Sequence, residues 1–597
     1  MKNDAKGSSE DLGVAKKVLQ KKLQADSRSQ SVLDKLKRLY GDDEKVLLYQ
    51  VVRYLKILRK FVERFGKGPV ILMRIPSRIC IIGGHTDYLT DPVRYLLGHV
   101  LTFANRRRDM LVAIRSSKKS AFRLSSTDKR FKDKRFDISD FTEEVRELSV
   151  SKPTDDGKTG GNRQVLRNTR VSDFRKFWLG YLDLLQIERK EKRKREHSSK
   201  HWENYVKASV YYYLVRKAQK ERTPLCEIPL NGFDMVVSSD IPVAGGASSS
   251  SALVVASDIA VRLADKPQEV DSRFRTETAR HTPLGEWFVG TRGGSMDQAT
   301  IALGEAGTAL RMSFGPFEMK KIPIPTKGYK WVTIYTHPHG GGSQIETGYN
   351  ERSAASLYII KECIDKALKG KPQLRRKWGK IKKAAQEKDL RGLERYTPDM
   401  ERILDLLPDY VTLAQVRRLV PADVYNEMES RYGALFSSSP QKRIKVKKWA
   451  LHHFGEIRRI LRTVKLLKEG YEAERERDRR TVDKQMEEVG KNITESGRSL
   501  RDNYGLSTPD LDRVIDIALA IKGVLGAYIH GGGFGGSALA LVKEDSVQDL
   551  IKNETQEYYQ KRSRGHTQPT RDDIIVADPG EGFSLVDLLR SPGVSSD

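Results

Sequence analysis

Residues 242–257, PVAGGASSSSALVVAS, constrain this chain more than any other stretch: a glycine pair, four serines, then an apolar run. Gly245 and Gly246 free the backbone for a tight turn, and Ser248, Ser249, Ser250 and Ser251 bring hydroxyls and capping groups to a helix predicted to start at once. Leu253, Val254, Ala256, Ile259, Ala260 and Leu263 fall on one face of that helix, with Asp258, Arg262 and Asp265 opposite. The first N–H groups of a helix lack partners within it and carry partial positive charge, so such a strand-to-helix turn suits a phosphate. The Gly-Lys-Ser/Thr ending of a Walker loop is absent. Alone, the stretch is also consistent with an ordinary small-residue turn and N-cap.

Two further segments add to it. Residues 526–542, GAYIHGGGFGGSALALV, put five glycines, among them Gly532 and Gly533, just before a strand-like run from Ala538 to Val542, where backbone approaches something closely or a tight hairpin turns. Residues 74–88, RIPSRICIIGGHTDY, read as a buried strand over Ile79–Ile82, then Gly83 and Gly84, then a polar cluster of His85, Asp87 and Tyr88.

Taken together, these segments resemble the GHMP small-molecule kinases, galactokinase branch. SRICIIGGHTDY is similar to GRVNLIGEHTDY, the serine segment to IPxGAGLSSSAAL with Ala247 in place of the usual leucine, and the glycine segment to TGGGFGGC. FVGTRGGSMDQ at 288–298 resembles FxGxxCGIMDQ, GYNER at 348–352 resembles EYNxR, and SLRDNYGLSTPDLD at 499–512 resembles SLRDxYxVSxPELD. Six matches in family order run from about residue 64 to 543. The resemblance implies an α+β, two-domain fold: an N-terminal mixed α/β domain with a left-handed crossover, a ferredoxin-like C-terminal domain, helical additions, and an active cleft between the domains.

It also implies ATP- and magnesium-dependent phosphorylation of a hexose-like sugar, at the anomeric hydroxyl. Asp297 would orient or deprotonate that hydroxyl. Arg78 would stabilise the aspartate's charge and that of the moving phosphoryl group. The serine loop (Gly245, Gly246, Ser248–Ser251) and Gly532 and Gly533 would hold nucleotide, and Gly84, His85, Asp87, Gly294 and Tyr349 would shape the sugar pocket. Ser250 is the expected magnesium ligand, because that ion prefers hard oxygen donors. Ser295 and Gln298 have capping-box spacing, which predicts a helix with Asp297 in its first turn.

Two departures from the family pattern bear on substrate and metal. Gly84 stands where galactokinases carry the glutamate expected to hold the sugar's C6 hydroxyl, so a C6 carboxylate, as in galacturonate, would not be repelled; heptose and fucose kinases also show a glycine pair here. The family's magnesium-assisting glutamate, twelve residues before the aspartate, falls on Gly285, with Glu286 one residue off, a rotation of about 100° on a helix. Either a local irregularity lets Glu286 serve, or the ion has fewer protein ligands. His337 and His339 in THPHGGG are expected to be loop residues beside a polar site rather than metal ligands.

The wider sequence fits such an enzyme. No run of eighteen apolar residues occurs and the start MKNDAKGSSEDLG has no apolar signal core, so no membrane span and a cytoplasmic location are expected. Cys80, Cys226 and Cys363 are odd in number and unpaired in spacing, as for reduced thiols. The net charge of +29 is concentrated in basic runs at 188–201, 369–383 and 441–449. These are expected to be solvated helix faces, but they keep open a rival of another class: a kinase-derived sensor that binds nucleic acid or a regulatory partner. The sequence leaves oligomeric state open.

The expected organisation is a helical extension over 1–60, with Leu47, Leu48, Val51, Tyr54 and Leu55 at helical spacing, a first domain over 61–315 interrupted by a mobile basic insertion at about 128–200, a second domain over 316–585 with helical basic material at 355–495, and a fraying tail from 586. A helix is predicted over 509–521, capped by Thr508, with Leu511, Val514, Ile515, Ala518 and Leu519 facing inward.

Overall fold

The structure, a computed structural model of the chain, describes residues 27–87, 98–150, 160–167, 171–191, 201–243, 245–314, 317–337, 342–432, 435, 439–560 and 573–586. Strand Ile71–Ile82 pairs antiparallel with the long strand His99–Ser117, which pairs in turn with Gly232–Ser239, and Ala121–Ser126 joins that last strand in parallel. Period-two alternation divides the burial between the two faces of this sheet. Leu72, Leu111, Ala113 and Val236 pack against the N-terminal helices Ser27–Tyr40 and Glu44–Phe65, while Met73, Ile75, Val112, Ile114 and Met235 face the main core. Covered on both sides, the strand ILMRIPSRICII is buried at every position after Ile71.

Helix Glu44–Phe65 runs five residues past the expected end of the extension and is capped by Asp43, whose carboxylate accepts from the N–H groups of Lys45 and Val46. Its buried face is Leu47, Gln50, Arg53, Tyr54, Ile57 and Phe61; Leu48, Val51 and Leu55 are only half-buried. The spacing rule located the helix but missed Arg53. Its guanidinium enters the sheet at 2.8 Å from Asp109 and 3.1 Å from Asp240, and Arg74 closes the cluster at 2.8 Å from Asp109. Buried charges require such pairing.

The second sheet has the order Val524–His530, Gly536–Lys543, Tyr329–His337, Ile574–Ala577, antiparallel throughout. In chain order that is 2-3-1-4, with helices between the first and second strands and again between the third and fourth, which is the ferredoxin-like arrangement. Gly490 and Gly526 let helix Arg479–Ser499 lie directly on the sheet, since a Cβ at either would come within 2.1 Å of the other segment's backbone.

Several expectations need correction. The segment at 128–200 is not a mobile insertion where it is described: helices Ile138–Val150, Gly160–Arg167 and Phe174–Glu191 pack into the main core. Phe141 stacks on Tyr211 at 4.3 Å, and Trp178 donates through Nε1 to the Leu284 carbonyl. The basic residues disguised the run FWLGYLDLL, which is a core helix. Residues 579–586 do not belong with the second sheet; Pro579–Gly580 and Ser584–Leu585 return to pair with the first, and Val586 is buried. The helix at 509 ends at Leu519, which is exposed, and Ile515 is half-buried, although Thr508 caps its start as expected.

The basic run at 369–383 is a helix face, whereas in that at 441–449 Arg443–Lys445 is a strand paired with Tyr410–Thr412 and the helix starts only at Lys447. In Pro372–Gln386, Trp378, Ile381, Ala384 and Ala385 are buried while most of the lysines and arginines stay in solvent. No helix among the described residues is long and apolar enough to cross a membrane. Among the described residues the three cysteines are free thiols.

Candidate active site

Strand Gly232–Ser239 leads into the serine loop and then into helix Ser249–Asp265. Ser248 is the N-cap position but does not cap: its backbone is left-handed at φ 65°, and its hydroxyl turns outward to donate to Asp297 Oδ2 at 2.6 Å. The helix is buried all round rather than on one face. Asp258 and Arg262, expected on a polar face, are 4% and 5% exposed and are satisfied through Thr278, which also binds both.

The glycine segment is the hairpin loop between strands Val524–His530 and Gly536–Lys543 of the second sheet. It abuts the serine loop: a Cβ on Gly246 would lie 2.9 Å from the His530 carbonyl, and one on Gly531 2.6 Å from Gly246 Cα. Only glycine permits that contact, and both residues also have positive φ. Thus the two loops, one from each sheet, meet edge to edge.

Asp297 lies in the first turn of helix Met296–Leu303. The expected capping box is absent: Ser295 makes no cap bond, and Gln298 reaches away to donate to Glu286 at 2.5 Å. Arg78, from the first strand, donates through Nε to Asp297 Oδ1 at 2.6 Å and through Nη1 to the Gly246 carbonyl at 3.2 Å. Burial opposes the guanidinium's charge, but Asp297 more than offsets it and holds the pKa above its ordinary value. One arginine therefore ties the aspartate to the serine loop.

Gly294 explains itself sterically. A Cβ there would sit 1.8 Å from the Asp87 carbonyl, so the chain at 293–294 passes directly over Asp87, whose carboxylate accepts from the Met296 N–H at 3.3 Å. Burial, then the charge of Asp297, raise Asp87 to about 6.

Glu286 ends helix Ser272–Glu286, which contains Pro283 and runs into a 3₁₀ turn at Trp287–Val289. Despite its offset in sequence it faces the site: Ser251 donates to its Oε2 at 2.8 Å, beside Gln298. Burial foremost raises it to about 7, with Asp297 adding in the same direction. Its donor set, hydroxyl plus carboxylate, is the chemistry a hard divalent cation takes. No cluster of three or more histidine, cysteine, aspartate or glutamate side chains suited to a metal occurs among the described residues.

These groups surround a cavity of about 180 Å³. Of the residues expected from sequence, Arg78, His85, Asp87, Ser250, Ser251, Glu286, Gly294, Asp297, Tyr349 and Gly532 line it. Ser248 and Gly246 stand just behind, through their bonds to Asp297 and Arg78. Four others are not on the wall: Gly245, packed on Pro242; Ser249, in the first helical turn; Gly533, packed on Leu506; and Gly84, whose carbonyl faces His452 at 3.3 Å. His339 lies outside the described residues.

Sequence reasoning missed Tyr205, Trp287 and Thr291 on the wall, and His530 beneath it. His530 Nε2 accepts from the Cys80 N–H at 3.3 Å and lies 3.4 Å from Arg78 Nη1; burial and then Arg78 keep it neutral. The sequence signal was present for His530, which opens the glycine run, but its partner is 450 residues away.

With a carboxylate–arginine pair set between two backbone loops, comparison with known proteins becomes decisive. Residues 204–305 match the GHMP kinases N terminal domain, and residues 476–561 match GHMP kinases C terminal. The chain carries the N-terminal and C-terminal domains of the GHMP kinases. As a GHMP kinase it is a phosphotransferase acting on an alcohol group. Similar proteins include the galactokinase of Chloroflexus aurantiacus, 26% identical over 532 residues covering 88% of this chain and 96% of that one, and the galactokinase of Homo sapiens, 25% identical over 507 residues covering 84% and 91%. In fold, this GHMP kinase is similar to the Lactococcus lactis galactokinase complexed with galactose, with a TM-score of 0.52, 22% identity, and coverage of 89% of this chain and 99% of that one.

Proposed function

We propose that this GHMP kinase transfers the γ-phosphoryl group of ATP to the anomeric hydroxyl of a galactose-like hexose or hexuronate. The observation that carries the reading is the Arg78–Asp297–Ser248 node, which joins the serine loop to the helix bearing the aspartate at the wall of one cavity. Phosphoryl transfer asks chiefly for positioning and charge neutralisation. In this reading the sugar hydroxyl lies against Asp297, which orients it and takes its proton as the O–P bond forms. Arg78 offsets charge on the aspartate and on the moving group. The serine loop and Gly532 cradle the phosphates through backbone N–H groups and hydroxyls. His85, Asp87, Gly294 and Tyr349 hold the sugar, Asp87 being able to accept from two ring hydroxyls at once.

Ser250 and Glu286 would hold magnesium, with Ser251 and Gln298 keeping Glu286 in place. When bound, the ion supplies neutralisation of the polyphosphate's charge. A cation beside Glu286 would also draw its buried carboxyl into the ionised form.

The named galactokinases support galactose itself, and Gly84 favours a hexuronate. Gly84 has room for a side chain, since a Cβ there meets only Leu500 at 3.9 Å. A panel of galactose, galacturonate, acetylated amino sugars, fucose and heptoses, assayed for ATP-dependent phosphate transfer, tests the reading; no transfer to any of them would end it. Gly84→Glu is expected to move the preference toward galactose, and an unchanged ratio would show that this corner does not face C6.

A further inference from the structure

His85 carries a backbone conformation that a histidine does not adopt cheaply. Its φ is 63°, in the left-handed region, and Gly83, two residues before it, has a φ of 94°. A non-glycine residue stays there only where its surroundings hold it. Some of that holding is local: Thr86 turns back, its N–H at 3.3 Å and its hydroxyl at 2.8 Å from the Gly83 carbonyl. The side chain is held too, because the His85 Nε2–H donates to the Gly532 carbonyl at 3.2 Å, and the ring lies 5.3 Å from Tyr349.

The peptide between Gly84 and His85 has a different partner. His452, wholly buried on helix Lys447–Glu476, donates its Nε2–H to the Gly84 carbonyl at 3.3 Å. A carbonyl can only accept, so this bond fixes the tautomer: Nδ1 must accept, and Ser499 Oγ lies 3.0 Å from it. Ser499 in turn accepts from Asn503 Nδ2 at 3.2 Å. The donors point one way along the whole chain, from Asn503 through Ser499 and His452 to Gly84. Ser499 immediately precedes a π-helical turn, Leu500–Tyr504, and Asn503 lies within it, an irregularity of the kind found at functional sites. That turn also places Tyr504 between the rings of His452 and His85, 4.7 and 5.5 Å away.

We propose that His452 and Ser499 are positioning residues that clamp the Gly84–His85 peptide, so that His85 presents its ring to the sugar while its other edge grips the glycine loop. The clamp rests on the sugar-kinase reading for its consequence but not for its existence. Neither residue lines the cavity, so they act through His85 and touch neither substrate.

Two measurements on the full-length protein test it separately from that reading. The first is hydrogen exchange of peptides spanning residues 79–87 without any ligand, in wild type, His452→Leu and His452→Gln. Glutamine can place its amide N–H where Nε2 was, whereas leucine cannot. Exchange in this segment is expected to rise at least about fivefold in His452→Leu and to return near wild type in His452→Gln. The second is steady-state kinetics with galactose and galacturonate. His452→Leu is expected to raise the sugar KM about tenfold while ATP affinity changes less than about twofold, with His452→Gln largely rescuing and Ser499→Ala falling between. Equal behaviour of the Leu and Gln variants, or wild-type exchange in the Leu variant, would overturn the clamp. A wild-type protein that phosphorylates neither sugar would remove those substrates from the functional reading and leave the exchange result to decide the clamp alone.

Discussion

Arg78 and Asp297 stand 219 residues apart in sequence and meet at 2.6 Å, Nε to Oδ1, at the point where the serine loop comes against the glycine hairpin. The arginine is the last polar side chain before the buried run Ile79–Ile82, and the strand's burial on both faces fixes its position. Its other branch holds the Gly246 carbonyl, so its loss would release both the aspartate and the loop.

Arg78→Met is therefore expected to lower kcat by about 10²–10³ while the protein stays folded, as when a preorganised group aimed at developing charge is removed. Pre-steady-state phosphate transfer at saturating ATP measures it. A fall in KM alone, with kcat preserved, would contradict the role.

Gly294→Ala forces a methyl group to within 1.8 Å of the Asp87 carbonyl and 2.5 Å of its carboxylate. Neither the backbone of Asp87 nor the buried helix start beyond it can yield cheaply. The variant is expected to lose sugar binding by at least tenfold with destabilisation of about 1–3 kcal/mol, the range for overpacking. Calorimetric sugar binding and thermal unfolding check the two parts.

Glu286→Gln keeps the bonds from Ser251 and Gln298 within reach but removes the charge. The magnesium concentration for half-maximal activity is expected to rise at least about tenfold, with a smaller change in the sugar KM. If the magnesium dependence is unchanged, the offset carboxylate is not a ligand.

Much of the fold was legible in local patterns: the serine loop, the capped helix at Pro509, the strand Ile79–Ile82 and the amphipathic extension each announce themselves over a few residues. The segment at 128–200 did not, because lysines and arginines around Trp178 and Tyr181 mask a core helix whose partners, Phe141 and Tyr212, lie on other elements. The offset of Glu286 posed the opposite problem. Register counting left it rotated away from the site, and only its place at the end of a helix passing into a 3₁₀ turn shows it facing Ser251. His452 was invisible for a plainer reason: a buried histidine whose partner is the Gly84 carbonyl, 368 residues distant, leaves no local trace.

At the end of helix Val547–Glu554, Glu554 is wholly buried, neither of its carboxylate oxygens has a hydrogen-bond partner, and burial raises it to about 8 against an opposing pull from Arg513. The folded protein thus holds a proton that the unfolded chain gives up near about 4.5. Its contribution to stability is complete below that value and is lost as pH rises through about 8. Denaturant unfolding should show Glu554→Gln gaining on wild type from pH 5 to 8, with no further gain above. A difference independent of pH would mean the carboxyl titrates normally.

The most direct test of the central claim is a single-turnover measurement of phosphate transfer from ATP to galactose or galacturonate, with Asp297→Asn beside wild type and nucleotide affinity measured on both. The expected result is sugar phosphate from wild type, a loss of about 10²–10⁴ or more in the variant, and nucleotide affinity within about threefold. Equal transfer by the two proteins would contradict the account at its centre.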